Sequence, residues 1–280
     1  MTWKRVIFNF MTSDEIIIVD NIPVDVCNQI IIQSVKYAVI SIPFTFNRMD
    51  ITDLTRKIAN IAKGKIAEGL FRHFALTKNI PVDFNTCQTP FYQADKRDFI
   101  LYGDEWDIKN NYIFHDGFTM SANDYLELPA LIPDRGKWDQ WSKRNEVLIP
   151  ASKEVKFLFT FLKSADLKNK QKFLNIELKP EQQKFLDELY QTYKGKFQKS
   201  EPFTEDWFWN NFYKYGQGHV KFEHRPALVI TGFAGNSEWK YFIESSDGIN
   251  KYLNKTLVTK IKNRVATVKD LPAFVGLMRQ

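Results

Sequence analysis

Residues 98–114 read DFILYGDEWDIKNNYIF and predict a β-hairpin. Two segments rich in apolar residues, 98–103 and 106–114, are joined by a short turn that contains Gly103. A glycine in such a short connection between two strand-like runs is typical of an antiparallel pair. The stretch therefore predicts two neighbouring strands inside a β-sheet.

The polar residues of this hairpin follow the two-residue period of a strand. Side chains alternate between the two faces of a strand, so Asp107 and Lys109 lie on one face. Trp106 and Ile108 lie on the other face and can pack into the sheet. The tight turn can bring Asp98, at the start of the first strand, beside the Asp107–Lys109 end. Two carboxylates and one ammonium group are expected to meet there.

A helix is predicted upstream of the hairpin, over residues 52–78. Its apolar residues recur at spacings of three and four, which is the pattern of an amphipathic helix, and basic residues occupy its other side. Thr52 or Asp53 can cap its start, and Asn79 and Pro81 end it. The helix carries Glu68.

The remaining chain alternates helical and strand patterns. Strand patterns cover 154–162, 226–233 and 238–244, and helical patterns cover 121–128, 180–194 and 203–215. Residues 15–20 and 35–42 fit either short buried strands or helix ends, because periodicity does not separate these options in short apolar runs. The order of elements predicts an α/β or α+β chain with a central mixed β-sheet flanked by helices.

Composition bounds the class of protein. The chain has 280 residues, of which 44% are hydrophobic and 26% charged, and this is enough for a sizeable core in one domain or two closely joined domains. The formal net charge of +6 agrees weakly with a polyanionic partner. Sequence motifs of P-loop NTPases and of G-x-S-x-G hydrolases do not occur, which argues against both classes.

The two cysteines, Cys27 and Cys87, form no C-x-x-C pair, so a cysteine-rich zinc site is not expected. Two reduced thiols are typical of a cytosolic protein. No apolar run approaches the ~18 residues that span a bilayer. Asp14 and Glu15 interrupt the short apolar stretch near the start, which argues against a signal peptide. We expect a cytoplasmic protein without a membrane partner.

The hairpin carboxylates have the chemistry of a site for a hard divalent cation. Asp98, Asp107 and the backbone carbonyl of Ile108 are oxygen donors of the kind that Mg²⁺ prefers. Lys109 can orient or help deprotonate a water molecule and stabilise a pentacovalent transition state. Glu68 can reach the metal directly or through water. This combination predicts hydrolysis of phosphodiester bonds.

The order of these residues resembles the PD-(D/E)XK nuclease superfamily, in which a helix bears a glutamate, a strand bears an aspartate and the next strand carries acid-x-Lys. Glu68, Asp98, Asp107 and Lys109 match this order, and the resemblance spans about residues 52–114. Arg97 stands where the family has proline, Asp107 stands where glutamate is commoner, and Asp95 is an alternative first acid.

The resemblance implies a restriction-endonuclease-like core and a Mg²⁺ cofactor, for which Mn²⁺ can substitute. It implies a single nuclease domain over residues 1–280, with a catalytic core at about 50–165 and DNA-recognition or accessory elements at about 166–280. The implied function is that of a type II restriction endonuclease that cleaves double-stranded DNA. A palindromic target would in turn require a homodimer.

Other acid-x-Lys triplets weaken the specificity of this motif. Glu154–Lys156 lies on a good strand pattern and is the reserve site, although no hairpin-linked acid lies near it in sequence. The alternative interpretation, in which the charges of the hairpin only face solvent, also remains open.

Basic residues outside the motif are candidates for DNA contacts. They comprise Lys65 beside Glu68, His219, Lys221 and Arg225 in the segment KYGQGHVKFEHR, and Lys262 and Arg264 near the end of the chain. Each is also compatible with a solvated surface. The alternatives to a DNA nuclease are a non-catalytic nucleic-acid-binding module of the same fold, an RNA or repair nuclease, and an interaction protein with ordinary surface charges.

Overall fold

A computed structural model describes most of the chain. The described residues are 11–45, 53–93, 97–113, 120–133, 155–164, 174–193, 203–216, 219–222, 225–253 and 255–278. Among these residues, no helix is both long enough and apolar enough to cross a bilayer.

Six helices and thirteen strands of the described segments are named here in chain order. The helices are α1 (Val24–Ser41), α2 (Leu54–Thr77), α3 (Ala122–Leu126), α4 (Pro180–Tyr193), α5 (Glu205–Tyr213) and α6 (Phe274–Met278). The strands are β1 (Ile17–Val19), β2 (Val82–Asp83), β3 (Phe99–Leu101), β4 (Asp104–Tyr112), β5 (Pro129–Pro133), β6 (Val155–Ser164), β7 (Leu174–Glu177), β8 (His219–Phe222), β9 (Pro226–Ala234), β10 (Ile243–Glu244), β11 (Asn250–Tyr252), β12 (Leu257–Thr259) and β13 (Asn263–Thr267).

The largest sheet has six strands in the order β1-β9-β6-β4-β3-β2. The pair β4–β6 is parallel, and the other four pairs are antiparallel. The expected mixed sheet with flanking helices is therefore confirmed. This sheet draws β1 and β9 from outside residues 50–165, so it spans most of the chain. Smaller sheets contain β10-β13-β5, β11-β12 and β7-β8.

The alternation of side chains along β6 explains how the six-stranded sheet is covered. Leu158 and Leu162 point to one face and share a core with residues of α1 and α2, such as Phe71. Phe157 and Phe159 point to the other face and pack with residues of β5 and β13. Helices thus cover one face, and the three-stranded sheet packs on the other.

Helix α2 begins and ends close to the predicted limits. Its N-cap is Asp53, whose Oδ1 accepts the backbone N–H of Arg56 at 3.1 Å. The buried stripe of α2 consists of Lys57, Ile58, Ala62, Ile66, Ala67, Leu70, Phe71, Phe74 and Ala75. Most of this stripe follows the predicted three- and four-residue spacing.

The predicted hairpin is formed by β3 and β4. Tyr102 and Gly103 have φ angles of +52° and +84°, which is the backbone of a tight type I′ connection. The left-handed conformation is unfavourable for a tyrosine, and the neighbouring glycine carries no such penalty. Phe99 and Trp106 lie opposite each other and stack with centroids 5.7 Å apart and planes at 10°. This aromatic pair anchors the hairpin to the core.

Residues 35–42, which fitted either a short strand or a helix end, fall mainly at the end of α1, where Val35, Ala38 and Val39 are buried at helical spacing. The strand predicted over 238–244 is wrong for most of its length, because residues 236–241 form a 3-10 helix before β10. Glu238 accepts the backbone N–H of Gly235 at 2.7 Å and stabilises this turn. Such a local side-chain contact competes with strand formation.

Candidate functional site

Asp98 lies directly before β3 and contacts β4 through both its backbone and its side chain. Its N–H donates to the carbonyl of Trp106 at 2.8 Å, and its Oδ2 accepts the N–H of Ile108 at 2.6 Å. The N–H and C=O of one strand residue point to the same edge. The carbonyl of Ile108 therefore lies along the edge of β4 that Asp98 occupies, as the tight turn predicts.

Asp107 and Lys109 form an ion pair two residues apart on β4. The Lys109 Nζ donates to the Asp107 Oδ2 at 2.6 Å, and the two side chains are only 14% and 10% exposed. The ammonium also lies 5.2 Å from the ring centroid of Phe157. The pair is a charge-assisted hydrogen bond in a largely buried setting.

Glu68 pairs with Lys65 one turn earlier on α2. The Lys65 Nζ donates to the Glu68 Oε2 at 2.6 Å, and the side chains are 20% and 26% exposed. The Lys65 ammonium lies 4.9 Å from the ring centroid of Tyr37 on α1. The spacing of three residues places both side chains on one face of the helix.

A cleft of about 720 Å³ lies between α1, α2 and the segment that leads into β3. We call it the α1–α2 cleft. Its lining consists of Ile30, Gln33, Ser34, Tyr37, Lys65, Glu68, Gly69, Arg72, Phe84, Cys87, Gln88, Thr89, Pro90, Arg97 and Asp98. The lining therefore contains two predicted catalytic carboxylates and the predicted phosphate contact Lys65.

The structure separates the four predicted catalytic residues into two groups. Glu68 and Asp98 line the α1–α2 cleft, whereas Asp107 and Lys109 do not. Trp106 and the alternating residues of β4 pack toward α2, so the Asp107–Lys109 pair faces the three-stranded sheet instead. Asp98 is the residue that links both groups, because it lines the cleft and contacts the backbone of β4.

The oxygen donors at this edge fit a Mg²⁺ ion that retains several water ligands. Mg²⁺ is commonly bound through one or two carboxylates, as Asp98 and Asp107 would provide, and the Ile108 carbonyl adds a neutral donor. Within the described ranges, no three histidine, cysteine, aspartate or glutamate residues are grouped as a metal site.

An ion pair braces the hairpin next to Asp98. Arg97 contacts Glu105 of β4 through its Nε, and both side chains are largely buried. Cys87 lies in the same cleft lining, and burial followed by the Glu105 charge raises the pKa of its thiol to about 11. Cys87 is therefore a protonated thiol at neutral pH and a poor nucleophile.

Arg72 and Phe84 line the cleft and were not among the candidates from the sequence. Arg72 lines it from α2, and its guanidinium carbon lies 5.4 Å from the ring centroid of Phe84. Arg72 follows Glu68 by four residues, and this helical spacing is a signal that the sequence contains. Phe84 carries no comparable signal, because its place depends on how the segment after α2 folds back.

The predicted DNA-contacting residues lie in different parts of the molecule. Arg225 is exposed just before β9. Lys262 and Arg264 pair with Glu244 at 2.6 and 3.5 Å, and the hydrogen bond from Lys262 is the main cause of a lowered pKa of that carboxyl. The side chains of His219 and Lys221 lie outside the described residues.

The reserve motif is only half described. Glu154 lies outside the described residues, whereas Lys156 on β6 pairs with Asp104 at the start of β4. The Lys156 ammonium lies 5.6 Å from the ring centroid of Trp106. Lys156 thus contacts the hairpin that carries the primary motif.

Comparisons of the chain with protein-family models, with curated proteins and with solved structures found no match. The functional inference therefore depends on the geometry of the site.

Proposed function

We propose that this protein is a Mg²⁺-dependent nuclease with a restriction-endonuclease-like core that hydrolyses phosphodiester bonds in double-stranded DNA. The observation that carries the proposal is the 2.6 Å contact between the Asp98 carboxylate and the Ile108 N–H. This contact gathers a carboxylate and a backbone carbonyl at the edge of β4, next to the Asp107–Lys109 pair. An acid, an acid-x-Lys pair and a glutamate on the preceding helix are the groups that the resemblance to PD-(D/E)XK nucleases requires; Glu68 and Asp98 line the cleft, and Asp107 and Lys109 do not.

Asp98, Asp107 and the Ile108 carbonyl would hold Mg²⁺, and Mn²⁺ would substitute for it. When bound, the ion supplies Lewis-acid chemistry, because it offsets charge on the scissile phosphate and lowers the pKa of a bound water. The acidic side chains therefore serve as oxygen donors in this proposal.

Lys109 would stabilise the negative charge that develops on the phosphate during attack. Its ammonium carries three donors, and one of them already binds Asp107 at 2.6 Å. A donor held in place before the reaction needs little reorganisation when charge develops. Glu68 would accept a hydrogen bond from a water molecule in the α1–α2 cleft and orient it.

The basic residues would hold the DNA backbone. Lys65 lines the α1–α2 cleft, and Arg225, Lys262, Arg264, Lys221 and His219 are the further candidates for phosphate or base contacts. If the target is a palindrome, as in type II restriction endonucleases, a homodimer would let each subunit cut one strand.

The test is cleavage of plasmid DNA by the purified protein with Mg²⁺ and with EDTA, read on a gel. Discrete bands in the Mg²⁺ lane are expected, and end mapping of these bands gives the target sequence. Asp98→Asn and Asp107→Asn should reduce the rate at least about a hundredfold, because each removes a charged oxygen donor while keeping shape. Asp104→Asn is the matched control, since it alters another acid–lysine pair of the same hairpin. Unchanged cleavage in both variants would contradict the assignment.

A second candidate is a non-catalytic nucleic-acid-binding module of the same fold. The observation that favours it is that Asp107 and Lys109 pair with each other outside the α1–α2 cleft, whereas Glu68 and Asp98 line it. This candidate predicts intact DNA with Mg²⁺ and a binding affinity that falls steeply with salt.

A further inference from the structure

We propose that Arg72 binds a backbone phosphate and that the α1–α2 cleft admits one strand of nucleic acid, not a paired duplex. The inference rests on the proposed function for its substrate class, DNA, and it requires that one strand of a duplex target separates locally where it enters the cleft. It goes further by naming the residue that holds the strand and the form in which the strand enters.

The Arg72 side chain is held in place by an aromatic ring. Its guanidinium carbon lies 5.4 Å from the centroid of Phe84. Phe84 in turn contacts the buried rings of Phe71 and Phe99, with centroids 6.0 and 5.8 Å away. A cation on an aromatic face is stabilised, and the ring limits the orientations of the guanidinium. Arg72 is therefore preorganised toward the cleft that it lines.

The cations of the cleft differ in their carboxylate partners. Lys65 pairs with Glu68, and Arg97 pairs with Glu105. Within the described residues, no ion pair joins Arg72 to a carboxylate, although it is exposed and lines the same cleft. One face of the planar guanidinium lies near the Phe84 ring. The N–H donors at its edge can therefore bind an acceptor. A phosphate matches these edge donors in charge and geometry.

The size of the cleft favours a single strand. Its volume of about 720 Å³ is that of a cube about 9 Å on a side, which has room for a short segment of one strand but not for two paired strands. Clefts of roughly 300–1,000 Å³ hold ligands of small-molecule size. Tyr37 and Phe84 add aromatic rings to the lining, and such rings contact unpaired bases or sugars without sequence preference.

The test measures binding of a short fluorescein-labelled single-stranded oligodeoxynucleotide by anisotropy, in EDTA and over a series of NaCl concentrations. Arg72→Ala should weaken binding about tenfold at low salt, since it removes a charge-assisted contact. The association constant should also depend less on salt. The slope of its logarithm against the logarithm of NaCl concentration should become about 0.7 less steep, which is the value for one phosphate contact to a single strand. Arg56→Ala is the matched control, because Arg56 is exposed on α2 but does not line the cleft.

Equal effects of Arg72→Ala and Arg56→Ala, or no binding by the unaltered protein, would overturn the inference. The same oligonucleotide annealed to its complement tests the choice of strand. Arg72→Ala should affect duplex binding much less than single-strand binding, and an equal effect on both would overturn the single-strand claim. Phe84→Leu should reduce binding by a smaller factor, because it keeps the cation but removes the ring.

This experiment separates the inference from the proposed function, because binding in EDTA requires no cleavage. An Arg72-dependent affinity together with intact plasmid in Mg²⁺ would support the cleft and contradict the nuclease. Cleavage that depends on Asp98 and Asp107 but not on Arg72 would support the nuclease and contradict the cleft.

Discussion

Two acid–lysine pairs in this molecule have the same chemistry and different surroundings. Lys109 with Asp107 and Lys65 with Glu68 both have an N–O separation of 2.6 Å. The first pair lies on a strand and faces the three-stranded sheet, with side chains 14% and 10% exposed. The second lies on a helix and lines the α1–α2 cleft, with side chains 20% and 26% exposed.

The distance within an ion pair does not by itself determine how much free energy of unfolding is lost when the pair is broken. Surface ion pairs contribute about 0–1 kcal/mol, because water screens the charges and ordering two side chains costs entropy. Breaking a buried pair leaves a charge without compensation and costs several kcal/mol. Removing one partner of the strand pair should therefore cost more stability than removing one partner of the cleft pair.

The largest expected effect is on the strand pair. Asp107→Ala should lower the free energy of unfolding by about 3 kcal/mol, because it leaves the Lys109 ammonium largely buried without this carboxylate. The measurement is urea denaturation followed by circular dichroism. The double variant Asp107→Ala, Lys109→Met should lose less than the sum of the two single variants, because the unpaired charge is removed while the lysine stem is replaced by a similar one.

Additive losses in this double-mutant cycle would show that the two side chains are not coupled, and the comparison of the two pairs would then fail. The isosteric Asp107→Asn variant serves as a control for shape.

A smaller effect is expected at the start of α2, the helix that carries Glu68. Hydrogen bonds from the Thr55 hydroxyl and the Arg56 N–H lower the pKa of Asp53. Asp53→Ala should reduce the free energy of unfolding by about 1 kcal/mol at neutral pH, the usual value for an N-cap. Because the folded-state pKa is depressed, this stability is present above the unfolded pKa of about 3.9 and is lost as pH falls through the folded pKa.

Urea denaturation at pH values from neutral to acidic checks this prediction. Asp53→Asn keeps a capping oxygen without the charge, so it should retain most of the stability and remove the pH dependence. If the difference in the free energy of unfolding between the unaltered protein and Asp53→Ala were the same at all pH values, the charge of Asp53 would not contribute to stability.

The smallest effect is expected for the cleft pair. Glu68→Gln should change the free energy of unfolding by about 0.5 kcal/mol or less, since the pair is partly exposed and its glutamine replacement can still accept a hydrogen bond. The same urea titration measures it beside Asp107→Ala. A loss as large as that of Asp107→Ala would mean that cleft exposure does not distinguish the pairs.

Local signals in the sequence identified the elements around the site. The three- and four-residue spacing predicted α2, and Gly103 between two apolar runs predicted the β3–β4 hairpin. The strand predicted over 238–244 was wrong for residues 238–241, because a short capping contact of Glu238 stabilises a 3-10 helix there. In α1, a run rich in β-branched residues was ambiguous, because apolar runs of that length fit a buried strand or a buried helix.

Strand period and turn geometry are local properties, so the order of residues alone predicts which side chains alternate along β4 and that the turn returns Asp98 to its edge. The face of the sheet that α2 covers is set by tertiary packing. That choice depends on burying apolar residues distant in sequence, such as Phe71 against Trp106 and Leu158. It placed Glu68 in the α1–α2 cleft and the Asp107–Lys109 pair on the opposite face.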